Sequence, residues 1–441
     1  MAPPQSPSIS SRSSQSLKDV IGDLDRDSYV ALLSKLIGES KCVQNNPPDY
    51  VPKENLVASH VLDVLLPLST TQNNGGGGGP LVVKHITNPI TRTAATSSPS
   101  TRDGDGAVSF VGMHMDVVPA NPDQWEFDPF SLSVDGDKLQ GRGTTDCLGH
   151  VALVTELMKR LGETKPTLKN SIYAVFICNE ENGSVTGIGV DMLAEEGYLD
   201  ELKAGPVYWI DVADKQPCIG SGGMITWHLK ALGKLFHSGF PNKAINAMEL
   251  NMEALKVIQT RFYSDVLHFL KRRSTNPGGS VNQIPGECTI SGDVRLTAFY
   301  SPTDIVKKLQ AYVDDINANI EDLDTRGPVS KYVLPDEGLK GSVEITFDEE
   351  IIAGIACNLD SRGYQVLYEA TKEVIGCVKP YADTGTLPLV RDLQDQGFDV
   401  QLTGYGINDV YHADNEYCLF SDMEQGFEVF VSIISKLEED K

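Results

Sequence analysis

The amino-acid sequence predicts an α/β protein whose largely parallel sheet is interrupted by a second, α+β segment, and three observations carry that expectation. The chain has 441 residues, more than the roughly 250 to 300 at which a single hydrophobic core stops growing. From Ala107 onward, apolar strand, loop and amphipathic helix alternate, as in a sheet with helices on its faces. Near Met224 that rhythm gives way to half-buried strands mixed with helices, and it returns after residue 354. The middle stretch therefore reads as an inserted domain of about 130 residues.

In chain order, Asp27 or Ser28 is placed to cap a helix carrying Tyr29, Leu32, Leu33 and Leu36. Leu56 to Leu66 continues helical spacing after a Pro-rich connector. The runs Asn73 to Pro80 and Thr93 to Gly106 are rich in Gly or in Ser and Thr, and read as surface insertions flanking the strand LVVKHIT. AVSFVGMHMD is the next strand, and Val151, Val154, Met158 and Leu161 recur at helical spacing, with His150 read as the start of that helix. SIYAVFIC and PVYWI are two further apolar strands. In the inserted segment MITWHLKALG, CTISGDVRL and SVEITF read as strands, and Ala247 to Leu270 and Pro302 to Ile320 as helices. YQVLYEATKEV, GFDVQLTGY and MEQGFEVFVSIISKL restore helix, strand and terminal helix.

Composition narrows the function classes. Hydrophobic residues at 40% and charged residues at 22% fit a soluble globular chain. The 37 basic side chains against 61 acidic ones leave a net charge of −24, which argues against a nucleic-acid or anionic-membrane surface. No stretch approaches the ~18 consecutive apolar residues of a membrane helix. The eight cysteines are scattered singly, as expected in a reducing compartment. The Ser- and Pro-rich first 18 residues, charged only at Arg12 and Lys18, faintly resemble a transit peptide. A cytoplasmic protein is expected, with import into a plastid left open.

The predicted parallel strands end in acids, which is where ligand sites form in open α/β sheets. His114 and Asp116, two apart on an extended segment, point the same way. One is suited to ligating a metal while the other acts nearby, and the competing reading is an ordinary surface pair. GRGTTD turns sharply to present Asp146. Glu180 and Glu181 follow an apolar run as adjacent carboxylates that repel unless a cation compensates. Such a pair divides naturally into ligand and general base, against the plainer reading of an exposed acidic turn. Asp211 and Asp214 follow PVYWI, and His412 follows a Gly-containing turn near the C-terminus. Carboxylates and imidazoles without sulfur suit a catalytic rather than a structural zinc site.

HMDVVPA, WEFDPF, GRGTTD, NEEN, GKLFHSGFPNKAINA, NQIPGE with Arg295, and YHADNE occur in one order from about Asp25 to the end. In that order the chain resembles the dinuclear metallohydrolases that include acetylornithine deacetylase, succinyl-diaminopimelate desuccinylase, aminoacylases and some dipeptidases. The resemblance implies a three-layer, zinc-peptidase-like catalytic domain from residues 1–222 and 354–441, with a ferredoxin-like lid and dimerisation domain at 223–353. It implies two divalent ions, zinc or else cobalt, held by His114, Asp146 as the bridge, Glu181, Asp211 and His412. Asp116 would orient His114, Glu180 would be the general base, and His237 would steady the oxyanion, often across a dimer. Asn282 and Arg295 are similar to residues that hold a substrate carboxylate.

The chain departs from the family pattern at several points. Cys147 follows the bridging Asp where a Lys is usual, and Asn179 replaces the first acid of Asp-Glu-Glu. IDVA replaces Gly-Glu-Pro-Thr, leaving Asp211 or Asp214 as the ligand, and the DTGTLP loop around Asp383 differs as well. YWIDVADKQPC and DTGTLP are most similar to plant-type acetylornithine deacetylases, implying a homodimer that hydrolyses N2-acetyl-L-ornithine, a small N-acyl amino acid, in arginine synthesis. The alternatives are an aminoacylase or metallodipeptidase of the same family, and a catalytically silent scaffold.

Overall fold

The computed structural model describes residues 16–70, 78–87, 93–99, 106–182, 187–266, 270–276, 282–387 and 389–440. Most of the glycine run expected as an insertion lies outside them. The chain divides into two compact units. The first comprises Met1–Pro217, Asn358–Pro380 and Asp392–Lys441, and the second Cys218–Cys357 with Tyr381–Arg391. These bounds lie a few residues outside those read from the sequence, and the second unit gains the short return segment.

In the first unit the strands run in the order Leu81–Thr87, Thr93–Pro99, Ser171–Ile177, Ala107–His114, Pro206–Ile210, Asp399–Thr403. The last four pair in parallel, while Thr93–Pro99 pairs antiparallel on both sides. That strand corrects the expectation of a surface insertion from Thr93. Its run of Thr, Ala and Ser carries no apolar periodicity, and ladder hydrogen bonds rather than hydrophobicity place it. The helix Arg26–Glu39 is capped by Asp25, which accepts from the Ser28 N–H at 3.0 Å, two residues earlier than expected. The helix Leu148–Thr164 likewise begins before Val151 and takes His150 into its buried first turn.

The core lies between the sheet and the helices Arg26–Glu39, Leu148–Thr164 and Phe420–Glu439. Phe110 packs against Tyr208 and Phe430, with centroids 5.9 and 4.8 Å away, and each such fully buried ring contributes about 1.5 to 3 kcal/mol. Gly112 has φ +92 at a register shift between Val111 and Met113, and a Cβ there would lie 2.5 Å from the Trp209 ring. The bulge re-aims the residues that follow, Met113 and His114.

The second unit holds a four-stranded antiparallel sheet ordered Leu270–Asn276, Glu287–Leu296, Gly223–Leu232, Ser342–Ile352. Residues of Gly223–Leu232 alternate between buried and half-buried, and Trp227 and Leu229 pack in one cluster with Leu250 of the helix Ala247–Asp265 and Leu309 of the helix Pro302–Ala318. The first of these helices stops at Asp265, short of the expected Leu270, which instead opens a strand paired to Glu287–Leu296. Helical spacing of apolar residues runs on past Val266 in the sequence, but Leu270 pairs with Val294 in the ladder. No described helix is long and apolar enough to cross a membrane.

Candidate metal centre

Parallel strands end together, so residues just beyond their carboxyl ends meet. His114 closes Ala107–His114, Asn179 to Glu181 follow Ser171–Ile177, and Asp211 follows Pro206–Ile210. Asp146 comes from the turn before Leu148–Thr164, across a cis peptide bond to Cys147. His412 comes from the segment after Asn408–Val410, with φ +56.

The bridging geometry centres on Asp146. Its Oδ1 lies 2.9 Å from His114 Nε2 and its Oδ2 lies 2.9 Å from His412 Nε2. Asp211 Oδ1 stands 3.4 Å from His114 Nε2, and Glu181 Oε2 stands 3.1 Å from His412 Nε2. Two half-sites result, His114 with Asp211 and His412 with Glu181, sharing one carboxylate. Glu180 Oε2 is 4.0 Å from His114 Nε2. Asp214 Oδ1 accepts from the Asn408 N–H at 3.2 Å.

Asp116 connects His114 to the adjacent glutamates. The His114 Nδ1 side faces the Asp116 main-chain oxygen at 2.9 Å. The Asp116 carboxylate accepts from the N–H groups of Glu180 and Glu181 at 3.2 and 3.0 Å and from Asn45 Nδ2 at 2.8 Å. Asn45 was not singled out in the sequence. It also turns its amide toward Asn179 Oδ1 at 3.3 Å. Cys147 is the other surprise, because sulfur was expected to be absent. Its Sγ lies within 4.8 Å of ligand atoms of His114 and Asp211, while donating to the Ile210 carbonyl at 3.4 Å.

With the His114 Nδ1 proton given to a carbonyl, Nε2 presents a lone pair to carboxylates. That contact is favourable only with a proton or a cation between them. Burial and then the Asp211 charge push Glu180 well above the usual carboxylate range. Burial and then Asp146 raise Glu181 to about 7, and burial raises Asp211 to about 6. Burial would lower His412, but Asp146 and Glu181 outweigh it and hold it up at about 11. Asp211 Oδ1 is buried and accepts no hydrogen bond. A crowded set of nitrogen and carboxylate donors with an orphaned oxygen fits divalent ions such as zinc. A cavity of about 680 Å³ opens beside His412, with Tyr50, Asn121, Gln124 and Arg142 among its walls.

His237, Asn282 and Arg295 belong to the second unit. Phe236–His237 pairs with Gln283–Ile284, and the Ser238 N–H donates to the Asn282 carbonyl at 3.1 Å, so His237 and Asn282 are neighbours. His237 Nδ1 accepts from the Gly239 N–H at 3.0 Å on an exposed loop. Arg295 Nε donates to Asp293 at 3.0 Å.

Comparison with known proteins identifies the family. The chain is 62% identical to acetylornithine deacetylase of Arabidopsis thaliana, covering 97% of this chain and 99% of that one. It is 46% identical to the acetylornithine deacetylase of Dictyostelium discoideum, covering 95% and 98%. Human carnosine dipeptidase 1 has a similar fold, with a TM-score of 0.68 at 17% identity over 96% of this chain and 99% of that one. A dinuclear metal-binding peptidase of Bacillus subtilis follows with a TM-score of 0.62 at 13% identity over 94% and 99%. The description of peptidase family M20/M25/M40 matches residues 110–436, a span that holds all ten site residues expected from the sequence. The chain belongs to that family.

Proposed function

We propose that this protein is a metal-dependent amidohydrolase that cleaves N2-acetyl-L-ornithine to acetate and L-ornithine for arginine synthesis. The observation that carries the chemistry is Asp146, which turns one carboxylate oxygen to each of two imidazoles. The choice of substrate rests on 62% identity to the Arabidopsis deacetylase.

His114, Asp146 and Asp211 would hold one divalent ion, and His412, Asp146 and Glu181 the other; zinc suits the set and cobalt would replace it. When bound, the ions supply acidified water and a polarised amide carbonyl. Glu180 takes a proton from the attacking water as the new C–O bond forms, then delivers it to the ornithine nitrogen as the C–N bond breaks. Glu180 Oε2 stands 4.0 Å from His114 Nε2, beside the donors that would hold the ions. Asp116 keeps the ring of His114 and the Glu180 main chain in register. His237 would stabilise the developing oxyanion, while Asn282 and Arg295 grip the substrate carboxylate, Arg295 through its forked guanidinium. Residues 223–353 would serve as lid and dimerisation domain. The cytoplasm is the proposed compartment, and the single spacing of the cysteines supports a reducing one.

The test is acetate release from N2-acetyl-L-ornithine by zinc- or cobalt-loaded protein beside Glu180→Ala. Release that falls about 10²- to 10⁴-fold in the variant, with metal content unchanged, supports both substrate and base. Release only from N-acetylmethionine or a dipeptide would discard the substrate, and silence on all of them would leave a scaffold.

A further inference from the structure

We infer that Glu416 is a positioning residue that fixes Asp146 and the His412 segment relative to each other and so governs the half-site built on His412. The inference rests on the two-metal reading above and concerns a residue that contacts neither ion in it. Glu416 is wholly buried. One of its oxygens accepts from the N–H groups of Thr145 and Asp146 at 2.8 and 3.0 Å. The other accepts from the Gly143 N–H at 3.0 Å and from Arg142 Nη1 at 2.6 Å. An ionised carboxylate has about four acceptor sites, and here all are filled by the one turn that presents Asp146. Arg142, with its guanidinium 5.0 Å from the Trp125 ring, supplies the compensating charge.

The same link is reinforced from both sides. The Gly141 N–H donates to the Glu416 carbonyl at 3.0 Å, and Thr145 Oγ1 donates to the Tyr417 carbonyl at 2.7 Å. The segment from His412 to Tyr417 is thereby sewn to residues 141–146. His114 and Asp211 stand on the ends of sheet strands and owe nothing to this contact. Losing the Glu416 grip therefore frees two of three donors in the His412 half-site, Asp146 and His412, but only the shared Asp146 in the other.

Glutamine tests this, because its one oxygen satisfies half of the donors and its NH₂ confronts the rest. Zinc binding to metal-free full-length wild type and Glu416→Gln would be titrated by calorimetry and by competition with a chromophoric chelator. The milder Thr145→Val, which removes the hydroxyl that donates to the Tyr417 carbonyl and accepts from the Ile407 N–H at 3.2 Å, covers the case in which the first variant does not fold. The expected result is a second zinc equivalent weakened about 10- to 100-fold in Glu416→Gln and by less in Thr145→Val, with the first equivalent within about threefold. Two equivalents at unchanged affinity in both variants would overturn the proposal alone. Equal weakening of both equivalents would reduce Glu416 to general stability and also overturn it. Fewer than two equivalents on wild type would remove the two-metal reading and the proposal with it.

Discussion

His150 offers a pH test of the metal-centre scaffold that does not touch a ligand. It lies wholly buried in the first turn of Leu148–Thr164, where its Nε2 accepts from the Tyr405 N–H at 2.8 Å and its Nδ1 faces Cys147 Sγ at 3.7 Å. Burial, the largest influence, lowers its pKa from the ordinary 6.5 to about 4, with Asp146 pulling the other way. The folded chain thus keeps a neutral imidazole where the unfolded chain takes up a proton. Stability from this group is complete above the unfolded pKa and is lost as pH falls from about 6.5 toward about 4. Between about pH 7.5 and 5.5 the linkage comes to about 1.4 kcal/mol at 1.36 kcal/mol per pKa unit. Urea melts of metal-saturated wild type and His150→Gln at both pH values isolate it, because other titrating groups cancel in the difference. The wild type should lose about 1.4 kcal/mol relative to the variant on acidification. A difference that stays constant with pH would refute a neutral, buried His150.

Gly149→Ala places a Cβ 2.0 Å from the Thr144 carbonyl oxygen; thermal melts should show a loss of about 1 to 3 kcal/mol, and chelator competition should show weaker zinc retention because the Asp146 turn must shift. Stripping the metal should lower the melting temperature, since zinc held at about a hundred times its Kd contributes about 2.7 kcal/mol; identical melts with and without zinc would count against the site. Light scattering at micromolar concentration should return the mass of two chains, and a single-chain mass would remove the dimer.

Part of the candidate site was legible because strand ends announce themselves. Apolar runs that end near His114, Glu180 and Asp211 carry both the sheet and those side chains in one pattern. Asn45 was not legible: an asparagine in a Pro-rich connector looks like a turn residue, and its bond to Asp116 joins positions far apart in the chain. Glu416 stood in YHADNE with no role assigned to it, and its burial exists only after residues 141–146 fold over it. Thr93–Pro99 lacked apolar alternation, so only its pairing reveals it. Cys147 stood out only as a replacement of the usual Lys, and its closeness to His114 joins positions far apart in the chain.

The dispersal of the ligands sets an order of events during synthesis. His114, Asp146 and Asp211 leave the ribosome long before residue 412 and the strand Asp399–Thr403 that precedes it. A nascent chain therefore carries His114, Asp146 and Asp211 while the partner half-site still lacks its imidazole. The carboxylate of Glu416, which holds the Asp146 turn, arrives only four positions after His412. Premature termination anywhere before that point yields a polypeptide with most of the sheet and no two-ion centre, so the centre matures only when the C-terminal segment has been made and docked.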